Sequence, residues 1–122
     1  MRKIMLILSL VLFIGAAEAF AQCKDIRIPR GRISTTVKGT SNGDRNYPCY
    51  RIRARAGQKI TLHLASPDKR VTFSLRQDYY DADFTADSVR DWEGSTGDVD
   101  AYLISVGGGK RGSPFTLEVT IR

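Results

Sequence analysis

Histidine occurs once in this chain and cysteine twice. The lone histidine, His63, is the one candidate for the proton carrier that acid–base catalysis most often uses, and its alternating neighbours turn it outward between Thr61 and Ala65. There is no G-x-S-x-G elbow, no H-E-x-x-H pair and no strand-loop-helix frame for a phosphate loop. Two thiols and one imidazole make a poor zinc set, and C-x-x-C spacing is absent. Apolar residues recurring every 3.6 positions are missing, so helices are not expected. These absences argue against an enzyme. No catalytic residue, metal site or cofactor is expected.

What is present begins with a leader. Arg2 and Lys3 precede an apolar run from Ile4 to Ala17, and Ala19-Phe20-Ala21 has small residues at the spacing of a signal-peptidase site. The run is shorter than the ~20 residues that span a bilayer. Residues 1–21 therefore read as a signal peptide, and 22–122 as one exported domain, periplasmic or secreted, with no integral membrane segment left after cleavage. Gln22 is too large to precede a lipidated Cys23. In an oxidising compartment a bond between Cys23 and Cys49 is the default expectation, stapling the start of the domain to its third strand.

Charge is unevenly distributed. Residues 22–76 carry a net of +10 and residues 77–122 a net of −5. Such asymmetry suits either a polyanion-binding face or a dipolar surface. Export argues against nucleic acid as a partner and leaves anionic glycans, lipopolysaccharide or an acidic protein cleft.

Alternation with a period of two runs through the mature chain. "KDIRI", "RISTTVK", "YRIRARA", "KITLHLAS", "RVTFSLR", "AYLISV" and "PFTLEVTIR" each place apolar side chains on one side. "GTSNGDRNYP", Ala56-Gly57 and "SPDK" break the chain, and "GGGKRGS" reads as a flexible connection or mobile hairpin tip. The fold class expected is all-β: an antiparallel β-sandwich, jelly-roll-like, in one domain. Tyr50, Ile52 and Ala54 are expected inside, with Arg51, Arg53 and Arg55 on one outer stripe, either a solvated face or a contact for carboxylate or phosphate. Trp92 is expected to pack.

The segment "QDYYDADFTADSVRDWEGSTGDVD" reads as an acidic, solvated loop. Asp78, Asp81, Asp83 and Asp87 could supply calcium oxygens, but their spacing does not match a helix-loop-helix calcium loop. Tyr79 and Tyr80 are neighbours, so an extended backbone points one of them outward, where it would suit a glycan or protein contact.

The chain resembles bacterial pre-peptidase C-terminal-like domains. The resemblance is carried by a "V-x-G" turn at Val37-Lys38-Gly39, an aromatic residue opening a strand at Tyr50, and "A-x-A-G-Q-x-I-x-L" from Ala54 to Leu62, a motif that chiefly encodes a hairpin turn. It continues in Trp92, Gly94, Tyr102, Val106 and Phe115 to Ile121, and so covers nearly all of the mature chain. Small exported proteins of this kind include periplasmic inhibitors of goose-type lysozyme, to which the chain is similar in size, leader and strand order. The resemblance implies a protein partner, a lysozyme-type enzyme whose glycan cleft is blocked by loops. Those inhibitors carry an "S-G-x-x-Y"-like loop; here Ser95, Gly97 and Tyr102 are spread apart, with Asp98 and Asp100 between them. A glycosidase cleft carries carboxylates, so Lys110 and Arg111 are better suited to it than an acidic loop, with Tyr102 expected beside them. The alternative is a glycan-binding or cell-envelope accessory module without inhibitory activity, contacting its ligand through the outward arginines or the tyrosine pair.

Overall fold

A computed structural model describes residues 23–79, 81–97 and 101–122. The expected leader, Tyr80, Asp98 and Asp100 lie outside the described residues. Among the described residues, nine strands form two sheets: β1 (Lys24–Asp25), β2 (Ser34–Thr40), β3 (Cys49–Arg53), β4 (Lys59–Ala65), β5 (Thr72–Gln77), β6 (Phe84–Val89), β7 (Asp91–Ser95), β8 (Ala101–Gly107) and β9 (Pro114–Ile121). One sheet has the order β1-β3-β8-β5-β6 and the other β2-β9-β4-β7. All pairings are antiparallel except that of the two-residue β1 with β3. The expected all-β sandwich is what forms. Among the described residues no helix is long and apolar enough to cross a membrane.

Alternation builds the core. Tyr50 and Ile52 of β3, Ile60, Leu62 and Leu64 of β4, and Phe73 and Leu75 of β5 are all buried. So are Tyr102, Ile104 and Val106 of β8 and Phe115, Leu117 and Val119 of β9. Strand β8 is central in its sheet, and Leu103 on its outer side is buried too. In register it is flanked by Arg51 and Arg76, long side chains whose aliphatic stems can cover it. Trp92 packs against the core from β7, opposite Leu62.

Three expectations about connections are corrected. Val37-Lys38-Gly39 is not a turn but lies inside β2. Gly39 is needed there for space: a Cβ would stand 2.7 Å from the Phe115 ring and 3.0 Å from the Tyr50 hydroxyl. Those two rings meet edge to face across it, with centroids 6.5 Å apart. The Ala56-Gly57-Gln58 turn is not a hairpin, because β3 and β4 belong to different sheets. It is a corner, closed by the Gln58 side chain accepting from the Arg55 amide at 2.6 Å. Arg55 therefore leaves the strand that carries Arg51 and Arg53. The acidic segment is not a loop throughout: it contains β6 and β7, one outer strand of each sheet. An outer strand pairs on one side and covers only the margin of the core, so its apolar signal is weak, and its charges suit an edge.

Cys23 and Cys49 are disulfide-bonded, closing a span of 26 residues. Reduction is expected to cost about 3 kcal/mol by the chain-entropy argument, read as a lower urea midpoint with reductant than without.

Candidate functional site

Four connections gather at one end of the sandwich: residues 41–48, 66–71, Arg90 and 108–113. Each passes from one sheet to the other. This end presents exposed Arg45, Lys69, Arg70, Lys110 and Arg111. Among the described residues, neither Lys110 nor Arg111 makes an ion pair.

The segment expected to be a mobile hairpin tip is clamped, and it is a crossover between sheets. Ser41, fully buried, donates its hydroxyl to the Gly108 carbonyl at 2.7 Å and accepts from the Gly43 amide. Its backbone accepts from the Gly112 amide at 2.7 Å and donates to the Ser113 carbonyl at 2.8 Å. The Asp68 carboxylate, 17% exposed, accepts from the Lys110 amide at 2.7 Å, the Arg70 amide at 3.0 Å and the Ser113 hydroxyl at 3.2 Å. The Arg70 guanidinium also donates to it, at 3.2 Å. Ser41 and Asp68 were hidden in the sequence inside ordinary turn clusters, "SNGD" and "SPDK". The buried Ser41 and the half-buried Asp68, each multiply bonded, convert three glycines and two cations into a fixed projection.

The Lys110 amide, and after it the Arg70 amide and guanidinium, hold Asp68 far below the usual carboxylate range. A depressed folded-state pKa contributes stability that is complete above the unfolded value, about 4, and is lost as pH falls toward the folded value. Asp68→Asn is therefore expected to lower Tm at neutral pH and to flatten the acid limb of the Tm–pH profile below about pH 4. An unchanged acid limb would show that the clamp carries no such linkage.

The remaining expected site residues do not join this cluster. Tyr102 is 2% exposed and faces the core between the sheets, so the expectation that it stands beside Lys110 and Arg111 is corrected. It belongs to the inward set of β8, and its partners in register are Ile52 and Gln77. Ser95 and Gly97 are exposed, but at the opposite end of the sandwich, where Ser95 pairs with Lys59. Between them Thr96 is buried and bonded to Gln58 and Arg55. Tyr79, 57% exposed, also lies at that opposite end, just past β5.

The arginine stripe is partly neutralised. Arg51 donates to Asp78 at 2.8 Å and lies 3.7 Å from Asp25. Lys59 pairs with Glu93, and His63 with Asp91. Hydrogen bonding from Lys59 lowers the Glu93 pKa. Two of these pairs, Arg51–Asp78 and Lys59–Glu93, join the basic first half of the chain to the acidic second half, so folding cancels part of the asymmetry seen along the sequence. Asp78 is engaged by Arg51 and Asp87 by Ser74, so the four aspartates do not converge. Among the described residues no group of three His, Cys, Asp or Glu side chains is placed to hold a metal ion.

No protein-family model matches the chain, and no curated protein sequence does. Solved structures do share its fold. PliG of Aeromonas hydrophila, a periplasmic lysozyme inhibitor of g-type lysozyme, superposes with a TM-score of 0.66 at 21% identity, over 83% of this chain and 96% of that one. PliG of Salmonella Typhimurium, a periplasmic inhibitor of the same enzyme type, gives 0.61 at 15%, over 84% and 100%. The pre-peptidase C-terminal domain of a Bacillus anthracis collagenase gives 0.59 at 16%, over 84% and 99%. The architecture is thus one shared by periplasmic lysozyme inhibitors and by the pre-peptidase C-terminal domain of a collagenase.

Proposed function

We propose that this chain is an exported, non-catalytic binding protein that inhibits a goose-type lysozyme or a related wall-cleaving enzyme. The observation that carries the reading is the clamped crossover that holds Lys110 and Arg111 out from the fold. Fold similarity to two periplasmic inhibitors supports it, and so does a disulfide that suits an oxidising compartment. A glycosidase cleft is lined with catalytic carboxylates. A preorganised pair of cations suits such a cleft, because little ordering cost is left for the moment of binding. Charge complementarity also speeds encounter, so inhibition by this surface is salt-sensitive.

The test is a lysis assay. The mature protein is titrated into goose-type, chicken-type and invertebrate-type lysozymes acting on bacterial cell walls. Selective, stoichiometric inhibition of the goose-type enzyme is the expected result. Inhibition of none of the three would remove this reading and leave the accessory-module alternative.

A further inference from the structure

The outer face of the five-stranded sheet carries a groove of about 430 Å³, and of the candidate site residues only Asp87 lines it. This volume falls within the range of small-ligand sites, roughly 300–1,000 Å³. Its floor is hydroxylic: Thr72 and Ser74 of β5 stand in register beside Gly107 and Ser105 of β8. Its walls hold two exposed aromatic rings, Tyr47 at 51% and Phe84 at 59%. Soluble folds usually bury such rings, and here both line a single concavity.

The groove is built rather than incidental. Gly107 has no side chain because the Tyr47 ring occupies the place: a Cβ there would lie 2.2 Å from the ring. Tyr47 is thereby seated on the strand while its other face stays open. On the far side, β6 has one residue more than β5 between the pairs Phe73–Val89 and Leu75–Ala86. Such bulges re-aim side chains. Ser88 takes the uncommon left-handed backbone conformation there, with φ of 53°. The bulge aims Asp87 at Ser74, whose hydroxyl donates to it at 2.9 Å while accepting from the Ser88 amide at 3.0 Å. The Ser88 hydroxyl fixes the same carboxylate oxygen.

We propose that this groove binds a short neutral oligosaccharide. Aromatic rings present flat apolar faces to the C–H faces of pyranose rings, and the groove sets one on either side. Carboxylates accept from sugar hydroxyls, and the Arg76 guanidinium donates to them. Asp44 and Asp87 on the rim oppose an anionic ligand. An extended peptide fits the floor less well, because β5 and β8 are paired on both sides and offer no free backbone edge for strand addition. The inference is independent of lysozyme inhibition, because the groove is assayed with sugars alone.

The experiment is titration of the 15N-labelled mature protein with chitotetraose and with cellotetraose, followed by amide chemical shifts. Saturable shifts at Ser74, Ser88, Ser105 and Gly107 are expected with at least one sugar. Tyr47→Ala and Phe84→Ala are each expected to weaken binding about tenfold, and the double variant to abolish it while keeping a native amide spectrum. Since Phe84 is exposed on an outer strand, its variant keeps the test interpretable if Tyr47→Ala disturbs the fold. Absence of shifts with both sugars would overturn the proposal, as would shifts that persist unchanged in Phe84→Ala or that localise to the opposite end.

Discussion

Replacing Lys110 and Arg111 together by glutamate is expected to raise the concentration needed for half-inhibition of a goose-type lysozyme about a hundredfold. Two favourable charge contacts become two repulsive ones inside a carboxylate-lined cleft, a change of roughly 3 kcal/mol. Both side chains are exposed, and the hydrogen bonds that shape their loop use backbone groups and other residues. The variant should therefore melt within a degree or two of the parent, as surface substitutions usually do. Raising the salt concentration should weaken the parent and, by screening the repulsion, partly restore inhibition by the variant. Full inhibition by the double variant would displace the contact from this end. The loop carrying Ser95 and Gly97, at the far end of the sandwich, would then be the place to examine.

Tyr102→Ala should act differently. Its side chain lies in the core with Ile52, Ile104 and Val106. Truncating a buried aromatic removes its transfer free energy and leaves a cavity, at a cost of about 3–5 kcal/mol. Against a total stability of about 5–15 kcal/mol, that is a large fraction. Urea denaturation should show a much lower midpoint with an unchanged slope. Inhibition per folded molecule, measured at a temperature where the variant remains native, should match the parent. A stable variant that fails to inhibit would mean that Tyr102 reaches the target after all.

The two variants separate charge presented at a surface from mass packed in a core, and the sequence read these two kinds of residue with unequal success. The inward sets of β3, β4, β5, β8 and β9 were legible because alternation is a local property: whether Leu62 or Val119 faces inward depends on its immediate neighbours. The pairing of Cys23 with Cys49 was legible because only one pairing was possible. Strands β6 and β7 were not legible, since outer strands bury little and their residues are chosen for exposure. Alternation put Tyr102 on the same side as Ile104 and Val106, but the resemblance placed it at a binding surface, and burial decides for the core. The groove was invisible because Tyr47, Phe84, Ser74 and Gly107 come from separate turns and strands and meet only through sheet register.

By itself, the amino-acid sequence determined that this chain is all-β, which side of most strands is apolar, and which cysteines can bond. Each of these follows from side-chain chemistry acting over a few residues or from counting. Only the tertiary structure decided that the Gly107–Ser113 segment is a clamped crossover instead of a loose hairpin. The reason is that its partners, Ser41 and Asp68, are distant in sequence, and a hydrogen bond between distant residues exists only once two sheets have packed. The same packing sends Ser95 and Gly97 to one end and Lys110 and Arg111 to the other, which no spacing along the chain could reveal.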